Sequence, residues 1–300
     1  MLIKKIQLWE ENEQVSLFTY ILDNSMEFQV NKKRPCIILC PGGGYLGTSD
    51  RESEPVAMRF AAQGYNTFVL RYNTCFSKME IDFNNLPETN EKAVYPGPLF
   101  DLAKAMMIIK ENSDEWFVDS DKINICGFSA GAHLAASMGV HWQDELLKER
   151  FGVSNEMFKP NVVILGYPLL DYNLMKKEVE EIGNEWVREF WKVSNKAIFG
   201  KSDLTEEELA ELSPTNYVTS NTPPTFIWHT ADDGLVYVSN SLKFAAELTK
   251  NKVPYELHIF ESGVHGLSLC DETTASESAH INPHCGHWFD LAIEWLKQYQ

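Results

Sequence analysis

Short, mostly apolar runs that alternate with helical segments constrain the fold of this chain more than any other feature. The runs lie at residues 36–40, 66–72, 123–126, 162–165, 225–228 and 255–260, and helical spacing covers residues 54–63, 99–111, 130–140 and 239–250. Strands that are buried on both faces have such runs, and this alternation is typical of a parallel sheet with helices on both faces. Two strand-like segments between Ile3 and Leu22 predict an antiparallel edge. We therefore predict an α/β fold with a mostly parallel sheet of eight strands.

The segment Asp171–Leu212 interrupts this alternation between two predicted strands. It is acidic, helical in places and carries Trp186 and Trp191. Compact folds join neighbouring elements by short connections, and long insertions at such points often form lids or binding loops. A chain of 300 residues can form one α/β unit. We therefore expect a single domain over residues 1–300, with a small cap inserted at about residues 171–212.

The charge of the chain excludes several kinds of partner. There are 43 Asp and Glu residues against 26 Lys and Arg, which gives a formal net charge of −17. Nucleic acids and anionic membrane surfaces attract basic proteins, so neither is expected as a partner. No apolar run reaches the roughly 18 residues of a membrane span, and the first residues show no secretory leader. We expect a cytoplasmic protein with a small, uncharged ligand, and the composition leaves a homo-oligomer open.

The sharpest motif is Gly-Phe-Ser-Ala-Gly at residues 127–131, which follows a predicted strand and precedes a predicted helix. In that context the serine lies on a sharp turn between strand and helix, and small neighbours leave room for the turn. The N-terminus of the helix also brings backbone N–H groups close to negative charge that develops at the serine. We therefore predict that Ser129 is a nucleophile.

A serine nucleophile needs a base and an acid, and in this kind of fold the acid precedes the histidine in the chain. His265 lies in a glycine-bearing loop directly after a predicted strand, so we predict that it is the base. His133 lies inside the helix after the serine and is interpreted as a structural hydrogen-bonding residue. The loop after the preceding strand holds two candidates for the acid, Asp232 and Asp233, which spacing alone does not separate.

A glycine run, Pro-Gly-Gly-Gly-Tyr at residues 41–45, directly follows the first of the apolar runs. Glycines let the backbone approach a substrate closely and direct N–H groups at a developing oxyanion. We predict that the N–H groups of Gly43, Gly44 and Ala130 form an oxyanion hole. The run lacks the Gly-Lys-Ser/Thr ending of a phosphate-binding loop, and no cofactor is implied.

A group of potential metal ligands lies near the carboxyl end of the chain, at His280, His284, Cys285 and His287. Their spacing matches no zinc motif, so we expect no metal there. Instead we expect a turn that leads into a last amphipathic helix over about residues 287–298. The six cysteines are expected to stay reduced, because several lie in apolar runs and a chain of this length forms a core without disulfides.

Taken together, these motifs resemble those of the α/β-hydrolase superfamily, and in particular the bacterial acetyl-xylan-esterase-like and sugar esterases. The resemblance extends over about residues 33–295 and is most distinctive in Pro-Pro-Thr-Phe-Ile-Trp-His-Thr-Ala-Asp-Asp at 223–233. The related loop of lipases and esterases is His-Gly-Gly-Gly, and a proline stands in place of its histidine here. The resemblance implies an α/β-hydrolase fold with Ser129, Asp233 and His265 as nucleophile, acid and base.

From this resemblance we expect a carboxylic ester hydrolase that removes small acyl groups, O-acetyl groups of sugars or xylo-oligosaccharides in particular. Tyr45, Trp186 and Trp191 are candidates for stacking on a sugar ring, because aromatic side chains offer large, flat contact surfaces. Two alternatives stay open. One is a serine exopeptidase-like hydrolase with the same three residues, and the other is a catalytically silent binding protein with the same fold.

Overall fold

The structure is a computed structural model that describes residues 1–25, 27, 32–76 and 90–300 of the chain. Within these ranges the strands are β1 (Leu2–Trp9), β2 (Asn12–Ile21), β3 (Arg34–Cys40), β4 (Asn66–Arg71), β5 (Val118–Phe128), β6 (Val163–Gly166), β7 (Thr225–Thr230) and β8 (Tyr255–Phe260). The helices are α1 (Glu54–Ala61), α2 (Gly97–Glu111), α3 (Ala130–His141), α4 (Glu145–Phe151), α5 (Tyr172–Ile182), α6 (Glu185–Phe199), α7 (Glu206–Glu211), α8 (Ser239–Lys250) and α9 (Pro283–Leu296). Each strand and helix predicted above is present.

The eight strands of the described ranges form one sheet in the order β1-β2-β4-β3-β5-β6-β7-β8. β2 pairs antiparallel with β1 and β4, and the other neighbouring strands pair in parallel. This arrangement confirms the predicted α/β fold with a mostly parallel sheet and an antiparallel edge. Because parallel strands end at the same edge of a sheet, the loops after β3, β5, β7 and β8 meet there.

Adjacent residues of the central strands are buried on opposite faces of the sheet. Ile38 of β3 belongs to a core that includes Leu134 of α3. Its neighbour Ile37 belongs to a second core that includes Phe60 of α1 and Trp288 of α9. Since helices cover both faces, both faces of each central strand must be apolar, and this explains why the runs are continuous instead of alternating with polar residues.

Three helices, α5, α6 and α7, occupy the segment between β6 and β7 that is predicted as an insertion. Each begins at a polar side chain, from Asp171, Asn184 or Thr205, that accepts a hydrogen bond from a backbone N–H of the first turn. Helix α6 contacts the glycine loop after β3, because the Ser194 hydroxyl donates to the Gly44 carbonyl oxygen at 2.9 Å. The segment therefore reaches the edge of the sheet at which the predicted site residues lie.

The start of the last helix differs from the prediction. α9 begins at Pro283, so His284, Cys285 and His287 lie in its first turns and not in a turn before it. The Asn282 side chain accepts a hydrogen bond from the Cys285 N–H, and a proline is well suited to the first helical position because its missing N–H has no helical partner there. The predicted start at about residue 287 is therefore wrong by about one turn.

Metal ligands do not converge in the part of the chain that the structure describes, where no three His, Cys, Asp or Glu side chains lie close enough to hold an ion. All six cysteines fall within this part, and each is an unpaired thiol. Among the helices described, none is long and apolar enough to cross a bilayer.

Candidate active site

Ser129 lies on the turn between β5 and α3 in a strained backbone conformation, with φ 53° and ψ −119°. Residues other than glycine rarely adopt such a conformation, which persists only where the surrounding structure holds it. A Cβ on Gly131 would lie 2.0 Å from the Cys40 carbonyl oxygen, and one on Gly127 would lie 2.2 Å from the Gly131 carbonyl oxygen. Only glycine at both positions lets α3 start this close to the two strands, and this explains the spacing of the motif.

The side chains of Ser129, His265 and Asp233 form one hydrogen-bonded chain. The distance from Ser129 Oγ to His265 Nε2 is 2.8 Å, and the distance from His265 Nδ1 to Asp233 Oδ2 is 2.7 Å. Because an ionised carboxylate only accepts, we assign the proton to Nδ1, and Nε2 then accepts from the serine hydroxyl. This is the tautomer that a general base needs beside a serine.

The two aspartates that the sequence leaves open have different partners. Asp233 Oδ2 accepts from His265, and Asp233 Oδ1 accepts from the N–H groups of Leu235 and Val236 at 2.9 and 3.0 Å. Asp232 Oδ1 accepts instead from the Gly263 N–H at 2.7 Å. Asp233 is therefore the aspartate in contact with the imidazole, while Asp232 holds the loop that carries it.

Burial and charge act in opposite directions on both members of the Asp233–His265 pair. Burial by itself raises the pKa of Asp233, but the charge of His265 and hydrogen bonds from His229 and His265 outweigh it and hold this pKa well below its ordinary value. Burial by itself lowers the pKa of His265, but the Asp233 carboxylate outweighs this effect and raises the pKa above its ordinary value. The site therefore favours an ionised aspartate and stabilises a protonated imidazole.

His229 is a buried partner of the aspartate that the sequence analysis does not assign to the site. Its Nε2 lies 3.3 Å from Asp233 Oδ2 and 2.9 Å from the Val236 carbonyl oxygen, and its Nδ1 lies 2.8 Å from Ser241 Oγ. The ring thus fixes the carboxylate from the side opposite His265. The available signal is its position at the end of β7, four residues before the aspartate.

The predicted oxyanion loop follows β3. Gly43 and Gly44 have positive φ values of 130° and 60°, which glycine adopts without the strain of a side chain. Among the described residues, the backbone N–H groups of Gly43, Gly44 and Ala130 donate to no other protein group. Gly44 and Ala130 line the same small cavity as Ser129. These donors are therefore available to a ligand atom in that cavity.

This small cavity has a volume of about 30 Å³. A water-sized group needs roughly 10–15 Å³ on this measure, so the cavity has room for about two such groups. The insertion supplies much of its wall, through Met175, Val187, Phe190, Trp191 and Ser194. A larger cavity of about 490 Å³ lies around Trp9 and Asp101 and does not include Ser129.

The three aromatic candidates for sugar binding lie in different environments. Trp191 lines the small cavity. Trp186 is 53% exposed and stacks on Phe190 at 5.2 Å between ring centroids. Tyr45 lines the cavity but is buried, and its hydroxyl lies 2.6 Å from His133 Nδ1. The Tyr45 hydroxyl is thus engaged within the protein, whereas the Trp186 face is open to solvent.

His133 joins three parts of the site. Its Nδ1 faces the Tyr45 hydroxyl, and its Nε2 lies 2.7 Å from the carbonyl oxygen of Leu212, where the insertion ends. Burial lowers the pKa of His133 to about 4, so the ring is neutral near pH 7. The ring therefore connects α3, the glycine loop and the insertion by hydrogen bonds, as its interpretation as a structural histidine predicts.

Known proteins share this fold and much of this sequence. The BD-FAE family profile matches residues 22–248. Endo-1,4-beta-xylanase B of Butyrivibrio fibrisolvens is 31% identical over 274 residues, which cover 88% of this chain and 38% of that protein. The structure of an acetyl ester-xyloside bifunctional hydrolase from Caldicellulosiruptor lactoaceticus has a TM-score of 0.75 and 32% identity, with 98% of this chain and 96% of that chain covered. The carboxylesterase Cest-2923 from Lactobacillus plantarum WCFS1 has a TM-score of 0.79 and 27% identity, with 99% and 98% covered.

The chain belongs to the BD-FAE family of α/β-hydrolases, which confirms the resemblance found in the sequence. Further relatives are named esterases and an acetylxylan esterase, so carboxylic ester hydrolase is the enzyme class that they define. The chain spans between about two fifths and one half of the length of the curated relatives it matches.

The raised pKa of His265 can be tested in the protein without substrate. We expect the Asp233→Asn variant to titrate His265 at a lower pH than the wild type, because the charge that favours the protonated ring is gone. The ring C–H resonances of His265, followed by NMR across pH, measure this midpoint. Asp232→Asn is the matched control and should leave the midpoint unchanged, since Asp232 contacts Gly263. Equal midpoints in the wild type and Asp233→Asn would contradict the assigned cause.

Proposed function

We propose that this protein is a serine carboxylesterase that removes small acyl groups, O-acetyl groups of sugars or xylo-oligosaccharides in particular. The observation that carries the proposal is the hydrogen-bonded chain from Ser129 through His265 to Asp233, next to a glycine loop with available N–H donors. A binding protein would not need a strained serine in contact with a base and an acid.

In the proposed reaction Ser129 Oγ attacks the ester carbonyl carbon while His265 Nε2 takes the hydroxyl proton. The carbonyl π electrons move to its oxygen, which becomes an oxyanion. As the tetrahedral intermediate collapses, the bond to the alcohol oxygen breaks and the alcohol leaves with the proton from Nε2. Water then attacks the acyl-enzyme, gives a proton to Nε2, and releases the carboxylic acid as the proton returns to Ser129. Asp233 stays ionised and stabilises the imidazolium in both halves.

The oxyanion in this mechanism is held by the N–H groups of Gly43, Gly44 and Ala130. Each such donor is worth about 3 kcal/mol of transition-state stabilisation in characterised serine hydrolases. Ala130 also begins α3, so the positive end of the helix dipole lies next to the developing charge. The charge of the oxyanion is therefore opposed by backbone dipoles that are already oriented before the substrate binds.

The size of the cavity beside Ser129 supports a short acyl group. About 30 Å³ accommodates an acetyl group and is too small for a butyryl chain. We propose that residues 171–212 act as the cap of a single domain, because α6 supplies Phe190 and Trp191 to the wall. Two proteins similar to this chain carry names that refer to xylan or xylosides, and one of them to acetyl esters, which supports an acetylated sugar as substrate.

Replacement of the nucleophile tests the proposed chemistry. We expect Ser129→Ala to lower the hydrolysis of p-nitrophenyl acetate by about 10⁴-fold or more, because the remaining residues cannot form the acyl-enzyme. The matched control is Ser137→Ala, which removes a buried hydroxyl two turns further along α3 and should retain most of the activity. Unchanged turnover in Ser129→Ala would exclude this nucleophile, and a fluorophosphonate probe that fails to label Ser129 would favour a silent binding protein.

A substrate panel tests the acyl and leaving groups. We expect the protein to release acetate from acetylated xylo-oligosaccharides and to leave aminoacyl amides intact, with product measured by chromatography. An amide needs a protonated amine leaving group, and the proposal assigns no extra acid to that task. Efficient cleavage of aminoacyl amides with no release of acetate would favour the exopeptidase alternative.

Phe190 is expected to limit the acyl chain. Its Cζ lies 2.8 Å from where a Cβ on Gly44 would be, so the ring packs directly on the glycine loop. Phe190→Ala should raise the ratio of kcat/KM for p-nitrophenyl butyrate over acetate by about 10-fold, since each methylene that fits contributes roughly 10-fold or more. Phe18→Ala on β2 is the control and should leave the ratio unchanged. An unaltered ratio in a folded Phe190→Ala variant would mean that another residue forms the limiting wall.

A further inference from the structure

Glu52 is a buried carboxylate close to the site that the mechanism above does not use. It lies at the end of the short 3₁₀ turn Asp50–Glu52 and is only 4% exposed. Its Oε2 accepts from the Gly42 N–H at 2.6 Å, and its Oε1 accepts from the Tyr167 hydroxyl at 2.7 Å. A buried carboxylate is costly unless hydrogen bonds compensate for lost hydration, so both contacts are needed to keep it there.

The two partners of Glu52 fit the ionised form of the carboxylate. A peptide N–H such as that of Gly42 can only donate. The Tyr167 hydroxyl oxygen accepts from the Ser268 N–H at 3.0 Å, which leaves its own proton for Glu52. Two donors therefore point at the two carboxylate oxygens. Hydrogen bonds of this charge-assisted kind are stronger than those between neutral groups.

On one side, Glu52 holds the glycine loop. A Cβ on Gly42 would lie 2.9 Å from Glu52 Oε2 and 2.9 Å from the Ser129 Cβ, so Gly42 fills the gap between the carboxylate and the serine. The Gly42 carbonyl oxygen accepts from the Ser49 N–H at 2.9 Å, which closes the loop back towards the 3₁₀ turn. With the N–H of Gly42 bound to Glu52, the peptide plane before Gly43 has a fixed orientation.

On the other side, Glu52 and its turn hold the loop that carries His265. The Arg51 guanidinium donates to the Gly266 carbonyl oxygen at 2.8 Å, and the Ser268 hydroxyl donates to the Arg51 carbonyl oxygen at 2.7 Å. The Tyr167 ring packs edge-on against His265, with 5.0 Å between ring centroids. The same turn thus contacts the segments on both sides of the serine.

We propose that Glu52 is a positioning residue of the hydrolase: its carboxylate holds the Gly42 peptide and Tyr167 so that the oxyanion loop and His265 stay in register around Ser129, and its negative charge stabilises the imidazolium that forms during the reaction. This inference rests on the proposed function, in which His265 takes the serine proton.

The charge of Glu52 acts on His265 in surroundings that contain few other charged groups. The titratable groups that face Glu52 are Arg51 beside it, Tyr72 after β4, Cys126 on β5, Tyr167 after β6 and His265 after β8. Burial raises the pKa of Glu52, and the hydrogen bonds from Tyr167 and Gly42 and the charges of His265 and Arg51 oppose that rise. Its charge raises the pKa of His265 in addition to the larger effect of Asp233.

The test compares Glu52→Gln with the wild type in p-nitrophenyl acetate hydrolysis across pH. We expect kcat to fall by about 10- to 100-fold with little change in KM, since a misplaced catalytic group costs this much. The acid limb of kcat/KM should also move to lower pH, because His265 loses a charge that favours its protonated form. Asp50→Asn removes a solvent-facing carboxylate from the same turn and should change neither quantity.

A merely structural role would not move the acid limb, so a folded Glu52→Gln variant with the wild-type acid limb overturns the proposal. If Glu52→Gln does not fold, Tyr167→Phe keeps the ring and removes the hydroxyl that binds Glu52; it should lower kcat at unchanged KM, and wild-type kcat in that variant overturns the proposal. NMR titration of His265 in Glu52→Gln gives a readout without substrate. It separates failure of this inference, an unchanged midpoint, from failure of the proposed function, a wild type that does not hydrolyse the ester.

Discussion

The close approach of the serine turn to the end of β3 is the constraint on which the rest of the site depends. Gly131 lies so near the Cys40 and Pro41 carbonyl oxygens that any side chain there would push α3 away from the sheet. Because that distance is short, Ser129 and the first N–H of α3 lie beside the glycine loop. The strain in the Ser129 backbone is held by buried elements on both sides, β5 before it and α3 after it.

Buried carboxylates near one imidazole are the second recurring feature, and each is held by donors that would otherwise lack partners. Asp233 accepts from two backbone N–H groups of its own loop as well as from His265. Glu52 accepts from Gly42 and Tyr167. An ionised carboxylate inside a protein persists only with such donors, so the geometry of the loops and the charge of the site depend on each other.

Much of this arrangement could be predicted from local patterns. The continuous apolar runs predict the parallel strands because both faces are covered, and the glycine spacing around Ser129 predicts the turn because a Cβ would clash there. The start of α9 was predictable as well: Asn282 followed by a proline is a helix-start signal, but the histidines that follow favoured the interpretation as a turn. Glu52 gave no such signal, since an acidic residue in a loop is ordinarily solvated.

The sequence by itself determined the fold class, the serine turn, the glycine loop and a short set of candidate acids and bases, because these depend on residues that are neighbours in the chain. Only the tertiary structure decided that Asp233 and not Asp232 contacts His265, that α6 packs on Gly44, and that Glu52 lies against Gly42. These contacts join residues from separate elements, and the direction of each side chain is set by how the elements pack, which no local pattern encodes.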